Sequence, residues 1–141
     1  TPPAQARRAL EDHIGSGRAY QRYIAMIEAQ GGTFLSRLET AAPHDVPSPS
    51  DGWVAAIDGT AIGNTIIAMG GGRRKLGDRL DHRVGIQFLS KIGDPAVAGQ
   101  PLARVLCDDA VAAQRAVESV QRAFALSATP VPADRLIVDA E

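Results

Sequence analysis

Apolar residues recur at two spacings along the 141-residue chain, and the change of spacing divides it. Near the start, Ala6, Leu10 and Ile14 stand at i, i+4 and i+8, which predicts a helix over residues 3–14. Gly15 can close that helix, because glycine takes the left-handed cap conformation at little cost. Ser16 then offers an N-cap oxygen to a second helix. Tyr20, Tyr23, Ile24 and Ile27 follow at i, i+3, i+4 and i+7, a single apolar stripe that Gly31 and Gly32 terminate. Helices this short are marginal alone, so both apolar faces call for a surface to dock on.

Residues 40–52, TAAPHDVPSPSDG, place Pro43, Pro47 and Pro49 among Ser, Asp and Gly. That composition reads as a linker or extended loop and marks the domain boundary. Beyond it the apolar period shortens. Trp53, Ala55 and Ile57 alternate with Val54 and Ala56 as in a largely buried strand. Asp58-Gly59-Thr60 supplies a turn and an N-cap, and Ile62, Ile66 and Met69 mark a short helix that Gly70 closes. A polar, Arg-rich loop fills residues 71–80, and Val84, Ile86 and Phe88 alternate in a second strand. Turns at Gly93-Asp94-Pro95 and Gly99 lead to a third strand from Leu102 to Cys107. Asp108 or Asp109 caps a long helix in which Ala113, Val117, Val120 and Phe124 share a face, and Leu136–Val138 fits a last strand. The prediction is an α+β chain: a helix pair, a linker, then β-α-β-β-α-β.

Composition narrows the function classes. Hydrophobic residues make up 45% of the chain, enough for a packed core, while aromatics are only 4%, so that core rests on Ile, Leu, Val and Ala. A formal net charge of −1 provides no basic excess for nucleic acid or an anionic membrane surface, and neither is expected as a partner. No apolar run approaches the ~20 residues needed to span a bilayer. One cysteine, Cys107, cannot make an intrachain disulfide, which fits a reducing, cytoplasmic setting.

Few residues suggest chemistry. His13, His44 and His82 lie far apart and lack metal-ligand spacing, and no metal is expected. Cys107 ends an apolar strand and precedes Asp108 and Asp109, whereas a reactive thiolate wants cationic neighbours. Asp58, Asp78 and Asp81 read as a helix cap and partners of arginine rather than as a carboxylate cluster. GGGRRK at residues 70–75 combines glycine amides with cationic side chains that could hold an anion or nucleotide. It follows a helix, however, where a phosphate loop precedes one, and it lacks GxxxxGK[ST] spacing. The competing reading is a helix C-cap followed by an Arg loop paired with Asp78, Asp81 or a partner lobe.

Several motifs in order resemble one family. GSGRAYQRYIAMIEAQGG at 15–32, VAAIDGTAIGNTIIAMGGGRRKLGDRLDHRVGI at 54–86, KIGD at 91–94 and GQPLARV at 99–105 are similar to the C-terminal portion of the thymidine phosphorylase and pyrimidine nucleoside phosphorylase family. The resemblance runs over about residues 6–126, with Ala96 where the family usually has Val. It implies residues 1–32 as terminal helices of a catalytic α/β lobe, 33–52 as a Pro-rich linker and 53–141 as the family's C-terminal domain, an α/β hammerhead related to the barrel-sandwich hybrid of lipoyl and biotinyl carriers. Such enzymes use phosphate to split pyrimidine nucleosides into free base and pentose 1-phosphate without a cofactor, commonly as homodimers. Their phosphate- and base-binding residues lie upstream of the matched region, so no catalytic residue is carried over. The chain alone is expected to be inactive, with the remainder of the polypeptide as its partner. Gly71, Gly72, Arg73 and Arg74 are the candidate contacts to an anion or to the facing lobe. A carrier domain is the other alternative. It would need an acylated lysine at a hairpin tip, and only Lys75 and Lys91 are available.

Overall fold

A computed structural model describes residues 2–35 and 38–133. The chain divides into two compact units, Thr1–Leu38 and Glu39–Glu141. In the first, α1 (Pro3–Gly15) packs on α2 (Arg18–Ala29). Pro3 opens α1, where its missing N–H costs nothing. Ser16 does not cap α2 as its position suggested. It ends α1, with its Oγ donating to the Asp12 carbonyl at 2.6 Å, and Gly17 at φ +75° takes the N-cap of α2. One left-handed residue reverses the chain there, and that conformation favours glycine over serine. Phe34 stacks edge-on against Tyr20 and Tyr23, with ring centroids 5.5 and 6.1 Å apart. No side chain of α1 or α2 is buried, and Ile14 is 72% exposed.

The second unit is α+β. Its strands are β1 (Pro43–Pro47), β2 (Gly52–Ile57), β3 (Gly85–Phe88), β4 (Pro95–Ala96), β5 (Pro101–Leu106) and β6 (Phe124–Ser127). Its helices are α3 (Gly59–Ala68) and α4 (Ala110–Ala123). The strands form two antiparallel sheets, ordered β1-β5-β3 and β4-β2-β6. The observed order is therefore β-β-α-β-β-β-α-β, two strands richer before α4 than expected, and the strand seen after α4 is β6, directly at the helix end. Residues 136–138 lie outside the described residues.

The proline-rich segment contains strand β1 rather than loop alone. His44 pairs with Val105, Asp45 with Arg104 and Val46 with Ala103. Pro43 and Pro47 flank the strand at a sheet edge, where a missing ladder donor is tolerated. Val46 is fully buried, and the Asp45 carboxylate accepts from Arg104 Nε at 2.7 Å on the outer face. Further bonds hold the entry to β1: the Cys107 N–H donates to the Ala42 carbonyl, and His44 Nε2–H donates to the Cys107 carbonyl at 2.8 Å.

One core joins both sheets to the helices. It contains Val46, Val54, Leu102, Ala103, Val105, Ala113, Val120 and Phe124, with Ile66 and Ile86 packed against it. Helix α4 stops at Ala123 because Phe124 turns to extended geometry and pairs with Ile57 as the start of β6. The apolar stripe read as one helical face thus passes from helix to strand without leaving the core.

Candidate functional site

Helix α3 begins where Asp58 Oδ1 accepts from the backbone N–H groups of Thr60 and Ala61, at 2.9 and 3.0 Å. It ends in a Schellman arrangement. The Gly71 N–H donates to the Ile66 carbonyl and the Gly70 N–H to the Ile67 carbonyl, with Gly70 at φ +95°. Gly71 and Gly72 then fold back against the helix. A Cβ on Gly71 would lie 2.7 Å from Ile66 Cγ2 and 2.9 Å from Val84 Cγ2, and one on Gly72 would lie 2.5 Å from Ile67 Cγ1. At both positions a Cβ would force a neighbouring isoleucine or valine side chain to shift, which favours glycine.

The next residues are tied by aspartates. Asp78 Oδ2 accepts from the N–H groups of Arg74 and Lys75 at 3.0 and 3.1 Å. The amides of Gly70, Gly71, Arg74 and Lys75 are thus already donating within the protein. The Asp81 N–H returns to the Gly70 carbonyl at 3.0 Å. Arg83 sits between two carboxylates: its Nη2 is 2.8 Å from Asp81 and its Nη1 is 2.9 Å from Asp108. Asp108 also accepts from the Ala42 N–H at 2.9 Å. The pair joins residues 81–83 to the end of β5 and the start of β1. Hydrogen bonds from the Arg83 side chain, then from its backbone N–H, hold the Asp81 carboxyl below the ordinary carboxylate range, and the Asp81 carboxylate pushes Arg83 further up.

Arg73 and Arg74 are both exposed, and Arg74 leans over a groove between α3 and α4. The helices meet there through Thr65 and Ser119, whose hydroxyl oxygens are 2.9 Å apart. Sequence reading did not single out this groove or Arg115 on its α4 side. Thr65 and Ser119 are 54 residues apart, and no local pattern reports that they meet.

The other candidates are dispersed. His13 belongs to the first unit, and His82 is exposed beside the Arg83 clasp. Cys107 is buried at 2% exposure, with its thiol directed at the Asp109 carbonyl 3.6 Å away. Of the two aspartates expected to cap α4, Asp109 does so by accepting from the Ala112 N–H, while Asp108 serves Arg83 and Ala42. Lys75 lies in the loop after α3, and Lys91 precedes the turn at Gly93. Among the described residues no three His, Cys, Asp or Glu side chains converge as a metal site, and no helix is long and apolar enough to cross a membrane.

The model of the pyrimidine nucleoside phosphorylase C-terminal domain matches residues 53–127, and the chain belongs to that family. It is 36% identical over 134 residues to a thymidine phosphorylase of Burkholderia cenocepacia, covering 89% of this chain and 30% of that relative. A thymidine phosphorylase of Sinorhizobium medicae is 37% identical over 142 residues, 96% of this chain and 31% of the relative. The chain thus spans about a third of the length of the curated relatives it matches.

Proposed function

We propose that this chain is the C-terminal scaffold of a thymidine phosphorylase-like enzyme, one that cleaves pyrimidine nucleosides with phosphate to free base and pentose 1-phosphate. The observation that carries the reading is the alignment with the Burkholderia cenocepacia thymidine phosphorylase, which runs across both units yet covers only 30% of that relative. In this reading residues 1–32 are the last helices of the catalytic lobe, and their exposed Leu10, Ile14, Tyr20 and Tyr23 are covered by upstream sequence. Residues 33–52 connect the two, with β1 already docked on the C-terminal sheet. The family domain stiffens the phosphate-binding jaw of a closing clamp, and the hammerhead description belongs to the same reading.

Phosphorolysis needs a held dianion, an aligned anomeric carbon and stabilisation of charge on the departing base. Engagement of the Gly70, Gly71, Arg74 and Lys75 amides within the protein supports placing that work outside this chain. Its buried polar side chains, Ser48 and Thr65, are hydrogen-bonded within the protein. The working enzyme is a cytoplasmic homodimer without a cofactor, and the chain by itself is inactive.

A chimera tests this reading. The matched segment of the Burkholderia cenocepacia enzyme is replaced by this chain, and phosphate-dependent release of thymine from thymidine is measured. The chimera is expected to turn over. A chimera that melts cooperatively and shows native helical circular dichroism, yet releases no thymine, would overturn the scaffold role.

A further inference from the structure

The groove between α3 and α4 has the composition of a small-molecule site, and the geometry points to a phosphate monoester with a compact, flat body as its ligand. The open cavity measures about 520 Å³, within the range of ligand pockets. Its walls are largely small and apolar: Ala61 and Ala68 on α3 face Ala112 and Ala116 on α4, with Met69 at one end. Such walls leave room for a planar body instead of filling the space with side chains.

The charged groups of the groove have one sign. Arg74 and Arg115 both line it, and neither makes an ion pair with a described acidic residue. Elsewhere in this unit Arg83 and Arg104 are each matched by aspartate. The Asp78 carboxylate holds the Arg74 backbone, which fixes where its side chain starts. Asn64 adds an amide to the same lining. Two guanidinium groups match a dianionic phosphate better than a single carboxylate, and their planar donors suit its oxygens.

The base of the groove carries the complementary polarity. The Thr65 hydroxyl donates its one proton to the Ala61 carbonyl at 2.8 Å. The 2.9 Å contact between Thr65 and Ser119 must then use the proton of Ser119. Ser119 Oγ is left as an acceptor only, so a ligand group reaching it must be an N–H or O–H donor. The ligand class is therefore an aryl- or heteroaryl-sized phosphate monoester, its phosphate at Arg74 and Arg115 and a donor at the far end. This assignment uses residues of the groove alone and does not depend on the phosphorylase reading.

The test is a titration of the 141-residue chain with 4-aminophenyl phosphate, followed through backbone amide NMR signals. Phenyl phosphate, 4-aminophenol and inorganic phosphate are the comparison ligands. Saturable shifts are expected at Asn64, Ala68, Ala112 and Ala116, with at least tenfold weaker binding of 4-aminophenol and of inorganic phosphate. Arg74→Ala and Arg115→Ala, each retaining the native spectrum, are expected to weaken binding about tenfold or more. Ser119→Ala is expected to erase the preference for 4-aminophenyl over phenyl phosphate. The proposal is overturned by absence of saturable groove shifts, by unchanged affinity in both arginine variants, or by equal binding of 4-aminophenol.

Discussion

Gly71 shows how a glycine-rich sequence can be explained by packing. Its Cβ position is occupied from two sides, by Ile66 and Val84. Gly71→Ala is therefore expected to destabilise the protein by about 1–3 kcal/mol through overpacking. Gly15→Ala, with open space around it, is expected to change stability by less than ~1 kcal/mol. Denaturant melts of the two variants check the contrast, and equal losses would remove packing as the reason for glycine at 71. Asp81 gives a pH prediction. Its carboxyl is held below the ordinary range in the folded state, so the stabilisation is present above that range and lost as pH falls through the lowered folded value. The Asp81→Asn variant should therefore be less stable than the parent at neutral pH, and the difference should shrink on acidification. Thermal melts across acid pH measure it; a difference that grows toward low pH contradicts the Arg83 clasp. Both partners are partly exposed, so the effect is that of a surface pair and falls with salt.

The elements with a sustained period were legible in the chain. α1, α2, α3 and α4 follow apolar residues at helical spacing, and Gly70, Asp58 and Asp109 act as the caps their types suggest. The strands that were not legible have a physical reason in common. β1 offers a single buried apolar residue, Val46, between two prolines, and it is a strand because β5 pairs with it. β4 has only two residues, too few for any alternation to register. β6 was hidden inside the stripe of α4, since Phe124 continues the spacing while its backbone has left the helix. The α3–α4 groove was invisible for a related reason: tertiary packing alone brings Arg74 and Arg115 to one place. For the helix pair the expected energetics are clear. Two helices of 13 and 12 residues with no buried side chain gain too little apolar burial to offset ~1–2 kcal/mol of backbone entropy per residue. A peptide of residues 1–38 is predicted to show far less helical circular dichroism than two helices would give, and full helicity would mean that α1 and α2 need no surface to cover them.

At the scale of the whole chain, two kinds of surface stand apart. The second unit encloses a continuous core from Val46 to Phe124 and ties its loops with aspartates. The first leaves Leu10, Ile14 and Met26 open to solvent, as part of a larger interface would be. This asymmetry agrees with a chain covering about a third of the length of its relatives. The most direct measurement is thymine release from thymidine and phosphate by the purified 141-residue chain. No release above the uncatalysed background is predicted at any concentration of either substrate. Sustained turnover that follows the chain through purification would contradict the account, because it would put phosphate and pyrimidine recognition within these residues.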